Sequence, residues 1–389
     1  MKKALSKLTL ALVASGMMFG AQAASITVAL DSDPVSLDPH EQLSGGTLQL
    51  SHMTFDPLVR YDKKFNIMPR LAQSWTQVDD TTVRITLRPG VTFHSGNPLT
   101  SADVAWTLTR LHNSADFKGI FSLFEPIKII DDLTFEVITS QPYPLVMQSL
   151  TYLFPMDSKF YSGTDANGQP KDALVKFGST FASTNQSGTG PFIIKTREQG
   201  VKIEFERNPN YWDKESKGNV QSLTLVPIKE SGTRVAALLS GSVDVIAPVA
   251  PTDHQRVEST ANVDLVTVAG TRVIGFLMNG NTNPALQDPR VRLAIDYAIN
   301  NQGIVDRIMR GFATTAGQLS PEGYTGYHSD LAPRFDLVKA KQLMTEAGYE
   351  NGFNLTMIAP NNRYINDHNI AQSVASMLAR IGIKVDLRT

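Results

Sequence analysis

The chain contains no cysteine, and that single absence removes several chemistries. No disulfide can staple the fold, no thiolate can act as nucleophile or metal ligand, and no lipid can be attached at the cysteine that a bacterial lipoprotein requires. Histidine is scarce, at 7 residues, with no HExxH run and no pair at i, i+4 spacing, so a zinc site finds no support. A GxSxG nucleophile elbow, a GxxxxGK[ST] phosphate loop and a GxGxxG turn are all missing. Charge of one sign is also missing: Lys and Arg number 36 against 37 Asp and Glu, a net charge of −1. Nothing therefore calls for a nucleic acid or an anionic membrane as partner. Beyond the N-terminus no stretch approaches the roughly 18 apolar residues of a membrane span, so the mature chain is expected to be soluble.

What is present starts with a leader. MKKALSK carries Lys2, Lys3 and Lys7, TLALVASGMMFG is a short apolar run, and AQA precedes Ala24. This is the three-part pattern of a secretory signal peptide over residues 1–23, with cleavage expected after Ala23. A hydrophobic fraction of 42% with 19% charged residues fits a folded protein with a large core. An exported, cysteine-free chain must rely on that core alone. Retention of a soluble exported protein points to the periplasm.

Periodicity indicates an α/β pattern with long inserted segments. SITVAL starts as a strand, and PVSLDPHEQLSGGT reads as a turn-rich loop before helically spaced apolar residues in LQLSHMTFDPLVRY. Val83, Ile85 and Leu87 alternate in a strand, and LTFEVIT gives another. Between them Thr100 and Asp103 form a capping box for a helix whose stripe is Val104, Leu108 and Leu111. Residues 162–189 are polar and Gly-rich, as in a surface loop. PFIIKTRE, VKIEFERN and VQSLTLVPI read as strands, and SGTRVAALLSGSVDVIA as helix, turn and strand. AGTRVIGFLMNGN is almost continuously apolar, which predicts a strand buried on both faces. Asp288 and Pro289 open a long helical run, DLVKAKQLMTEAGY gives a helix stopping at Gly348, and FNLTMIAP a strand. The chain closes on a helix ending at Gly382 and the strand IKVDLRT.

Catalytic residues are hard to find in this pattern, and binding residues are easier. Paired carboxylates at 79–80 and 131–132 sit in predicted turns, and His94 at a strand end suits a hydrogen-bonding role. No enzyme activity, cofactor or metal is expected. Gly45 and Gly46 would let a ligand approach the backbone, with Ser44 and Thr47 as donors, although the segment also reads as a plain loop. Arg272 interrupts an apolar strand, and a buried arginine needs an internal carboxylate or a bound anion. Asn362 and Arg363, in APNNRYINDHN, lie at a strand end, where α/β sites tend to form. Ser44, Gly45, Gly46 and Arg272 are thus expected to line one wall of a cleft, and Asn362 and Arg363 the other.

Several stretches together resemble one family: DPVSLDPH, LAQSW, ITLRPGVTFHSGNPLTSADVAWTLTRL, GTGPFIIK, RNPNYWD, LLSGSVDVI, DPRVRLAIDYAINNQGIVDRIMRG and KAKQLMTEAGY. The chain resembles the family 5 extracellular solute-binding proteins of ABC transporters. The resemblance implies the two-lobed α/β periplasmic-binding-protein fold with an extra β-rich subdomain, its lobes closing over a ligand. Lobe I would comprise residues 24–50 and 190–272, the extra subdomain 51–189, and lobe II 273–389. It implies a monomeric receptor that captures dipeptides or oligopeptides and passes them to an inner-membrane permease with ATPase subunits. A nickel complex, opine, sugar or haem is the alternative ligand; a periplasmic hydrolase is the reading from another class. Chains of this family continue past the strand IKVDLRT, so lobe II is expected to be incomplete, with that strand an open edge.

Overall fold

In the computed structural model the described residues are 24–215, 218–324 and 326–389; the leader expected over residues 1–23 lies outside them. The chain separates into two contact-dense units. One consists of Pro34–Thr224 with the chain as far as Ile26; the other consists of Thr27–Asp33 with Leu225–Thr389. Strands Ala24–Leu30 and Val220–Pro227 cross this boundary. They belong to a five-stranded sheet ordered Val245–Ala247, Ala24–Leu30, Val220–Pro227, Lys202–Arg207, Phe192–Glu198.

The first unit is built on an antiparallel sheet ordered Ala72–Asp79, Thr82–Leu87, Thr134–Ile138, Lys128–Ile129. In Thr82–Leu87 the alternation holds: Val83, Ile85 and Leu87 are buried and Arg84 faces out. Helix Ser101–His112 lays Val104, Leu108 and Leu111 on the same core. Its capping box is formed, with the Thr100 N–H and hydroxyl both donating to the Asp103 carboxylate at 2.9 Å. Phe117, Phe121 and Phe135 complete a core in which each fully buried large side chain contributes about 1.5–3 kcal/mol.

Helix Gly45–Thr54 begins earlier, and ends earlier, than periodicity suggested. Gly45 and Gly46 are not loop residues but its first turn, capped by Ser44. The helical reading through Tyr61 stops at Thr54 because Pro57 cannot continue it, and Val59–Tyr61 pairs instead with Ile67–Pro69.

In the second unit helices Pro289–Ala298, Leu337–Glu346 and Asp367–Ala379 share one core with the parallel strands Asn354–Ile358 and Lys384–Arg388. The long run after Asp288 is two helices: Asn300 breaks it and caps Asn301–Arg307 by accepting from the Gly303 N–H at 2.8 Å. The strand expected in AGTRVIGFLMNGN does not form, and it is not buried. Ile274 is 45% and Leu277 99% exposed. The apolar run has strand propensity, but no neighbouring strand hydrogen-bonds to it among the described residues, and an unpaired strand is not a stable element.

Candidate functional site

Two groups of candidate residues lie in different units, and each is described alone. In the first unit Ser44 is the N-cap of helix Gly45–Thr54, its hydroxyl accepting from the Thr47 N–H at 3.3 Å and lying 3.0 Å from the Thr47 hydroxyl. The two side chains expected to meet a ligand therefore bond each other. Gly45 and Gly46 present amides at the helix N-terminus, where intrahelical acceptors are lacking. A Cβ added at Gly46 would meet nothing within 4 Å, so the space above it is open.

The residues just upstream of this helix start are buried around one ion pair. Asp38, fully buried, is bridged by Arg110 through both guanidinium nitrogens, one of them 2.9 Å from Oδ1. Burial pushes the Asp38 carboxyl up, but Arg110 more than cancels it and holds the group below the usual carboxylate range. His40 packs beside this pair with no exposure, and burial next to Arg110 drives its pKa down to about 3. The imidazole is neutral.

In the second unit the structure gathers Arg272, Asn362, Arg363 and Tyr364. The guanidinium of Arg272 lies 5.1 Å, and that of Arg363 5.8 Å, from the centre of the Tyr364 ring. Arg272 thus sits with Arg363, although the two were expected on opposite walls. Arg272 is also not buried: the segment carrying it is exposed, so water, not an internal carboxylate, solvates the charge. Neither guanidinium has an ion pair among the described residues.

The loop bearing Asn362 and Arg363 is shaped by a residue that sequence reasoning missed. The Asp367 carboxylate, 8% exposed, accepts from the N–H groups of Asn362 (3.1 Å), Arg363 (2.8 Å), Tyr364 (2.9 Å) and His368 (2.8 Å). Burial raises its pKa, but these backbone donors outweigh burial and hold it below the usual range. Asn362 and Asn366 take left-handed backbone, which asparagine tolerates. An aspartate opening a helix directly after a polar cluster was the available signal. Other turn carboxylates behave as expected: Asp79 accepts from Thr81 N–H and Asp131 from Leu133 N–H. His94 bonds backbone, lying 3.0 Å from the Gly190 carbonyl. Among the described residues no cluster of His, Asp or Glu could hold a metal ion.

An α/β fold carrying exposed cationic groups beside a tyrosine and open amides at a helix start offers a surface that can bind a polar or anionic solute. The comparisons narrow it. Residues 66–389 match the bacterial extracellular solute-binding proteins, family 5 (middle), and the chain belongs to that family. It is 28% identical over 384 residues to the glutathione-binding protein GsiB of Salmonella paratyphi A, covering 96% of this chain and 71% of the relative. Among solved structures it is similar to the periplasmic binding protein DppA of Helicobacter pylori in complex with the peptide STSA, at TM-score 0.81 and 25% identity. That match covers 94% of this chain and 73% of DppA. The binding protein AgaA of A. tumefaciens R10 in complex with agropinic acid also matches at TM-score 0.81, with 27% identity and 94% and 72% coverage. The fold is therefore the family's α/β periplasmic-binding-protein fold, and the chain is a solute-binding component in an ABC-transporter context. Members of this family are periplasmic in Gram-negative bacteria.

Proposed function

We propose that this chain is a periplasmic receptor that captures dipeptides or oligopeptides and delivers them to an inner-membrane ABC permease and its ATPase subunits, without chemical change to the ligand. The observation that carries the peptide reading is that Arg272 and Arg363 both approach the ring of Tyr364, without a carboxylate partner among the described residues. Two cations without carboxylate partners suit an anionic group, to which each can donate charge-assisted hydrogen bonds. A peptide's terminal carboxylate supplies such a group, and peptide complexes are known for structural neighbours. Ser44, Gly45 and Gly46 are proposed as main-chain contacts through the open helix start, and Asn362 as a further polar contact. Lobe I over 24–50 and 190–272, the subdomain over 51–189 and lobe II from 273 belong to the same proposal, as do export by cleavage after Ala23 and a monomeric state.

Titration calorimetry with a panel of short peptides tests the reading, with agropinic acid for comparison. Peptides with a free carboxylate should bind, and amidated ones should bind more weakly. Arg363→Ala should cost about 1.5–3 kcal/mol, the range for a hydrogen bond to a charged group. Equal affinity for free and amidated peptides would remove the basis for the assignment.

A further inference from the structure

Between strand Asn354–Ile358 and helix Asp367–Ala379, residues 359–366 form neither helix nor strand. Side chains fasten this loop at its C-terminal end. Oδ1 of Asp367 accepts from the N–H groups of Asn362 at 3.1 Å and His368 at 2.8 Å. Oδ2 accepts from those of Arg363 at 2.8 Å and Tyr364 at 2.9 Å. The Asn366 side-chain amide donates to the Ile308 carbonyl at 3.0 Å. Asn362 and Asn366 both take left-handed backbone, with φ of 65° and 55°. Such conformations persist where surrounding bonds over-determine them, and here those bonds converge on one buried carboxylate.

Arg363 and Tyr364 thus hang from the same oxygen, so their backbones are fixed relative to each other. That places the Arg363 guanidinium 5.8 Å from the centre of the ring that Arg272 approaches at 5.1 Å. We propose that Asp367 is a positioning residue for solute binding: it holds Arg363 and Tyr364 in the arrangement that receives the solute's anionic group. This role presupposes the reading of Arg363 as a contact to a peptide's terminal carboxylate. Two physical effects support it. A loop already held in its binding arrangement loses less conformational freedom when the solute arrives. The amides at a helix start also attract anions. With the Asp367 carboxylate on those amides, the solute's charge is directed to the guanidiniums instead. The same carboxylate, satisfied by four backbone donors, makes no ion pair with Arg363 and leaves that cation open.

Titration calorimetry of the full chain with trialanine and with its C-terminal amide reads the role. Asp367→Ala should lower affinity for trialanine about tenfold and leave affinity for the amide at the wild-type value. Asp367→Asn keeps an acceptor for two of the four amides and should fall between Asp367→Ala and wild type. In an Arg363→Ala background, adding Asp367→Ala should change neither affinity, because the group it positions is gone. Without peptide, amide hydrogen exchange at residues 362–364 should be about tenfold faster in Asp367→Ala. Val374 and Leu378, buried further along the helix, should exchange as in wild type and report that the fold persists. A loss that falls equally on both peptides, or that survives in Arg363→Ala, would make Asp367 a purely structural residue and overturn the proposal. Unchanged exchange at 362–364 overturns it too. Wild type that binds the two peptides equally removes the peptide reading and this role with it. That failure shows in the unmutated chain, whereas a failure of the Asp367 role shows only in the variants.

Discussion

At the scale of single residues, the buried charges of the first unit make acid stability predictable. His40 has its pKa lowered from 6.5 to about 3, with burial the largest cause and the Arg110 charge next. The unfolded chain therefore binds a proton between these values that the folded chain refuses. Stability present above the unfolded pKa is lost as pH falls through that window, at about 1.4 kcal/mol per pH unit. Glu41 acts in the opposite sense, since its raised pKa favours the folded state at lower pH, so the two partly offset near the carboxylate range. Urea unfolding of His40→Asn, measured from neutral to acid pH, should show a flatter decline than wild type. A parallel decline would mean that His40 is not the group being protonated. Arg110→Met should cost about 3–5 kcal/mol at neutral pH, because it strands the Asp38 charge in the interior.

At the scale of elements, close backbone approaches decide more than periodicity does. A Cβ at Gly188 would lie 2.0 Å from the Thr54 carbonyl oxygen, and one at Gly190 2.4 Å from the Thr54 carbonyl carbon. The Gly190 N–H in turn donates to the Thr54 oxygen at 3.0 Å, stitching the end of helix Gly45–Thr54 to the strand that follows Gly190. Gly188→Ala and Gly190→Ala should each destabilise by at least about 1–3 kcal/mol, seen as a lower urea midpoint for the first unit. Midpoints within error of wild type would show that the helix end can shift at no cost. The sequence made much of this level readable. Thr100 with Asp103, Asp288 with Pro289, and Gly382 after QSVASMLARI carry local chemistry that marks a helix end wherever the helix packs. Arg272 carries no such signal. An apolar strand pattern states what a segment would do with neighbours on both edges, and only tertiary pairing decides whether it has them. Asp367 was missed for a related reason: its four backbone donors come together only when the loop turns back on the helix start. Arg363 and Asn362 could be proposed from type and position, but Tyr364 as the shared platform needed the fold.

At the scale of the whole molecule, the two units differ in how well they bury apolar surface, and their unfolding should separate. The first unit has a core in which Phe117, Phe121, Phe135, Leu71 and Ile85 are fully buried. The second unit packs three helices on a two-stranded sheet, and leaves Val266 at 86%, Leu277 at 99% and Ile358 at 79% exposure. Each such side chain forgoes about 1.5–3 kcal/mol relative to full burial. The second unit should therefore lose structure at lower urea than the first, so that a single two-state transition does not describe the chain. The tryptophans distinguish the two events. Trp75, Trp106 and Trp212 all belong to the first unit, whereas far-ultraviolet circular dichroism senses helices in both. Ellipticity should begin to fall before tryptophan emission shifts. Leu343→Ala, in the core of the second unit, should move only the early change, and Leu108→Ala, under the first unit's sheet, only the later one. Superimposable ellipticity and emission curves, moved together by both substitutions, would show instead that the units unfold as one.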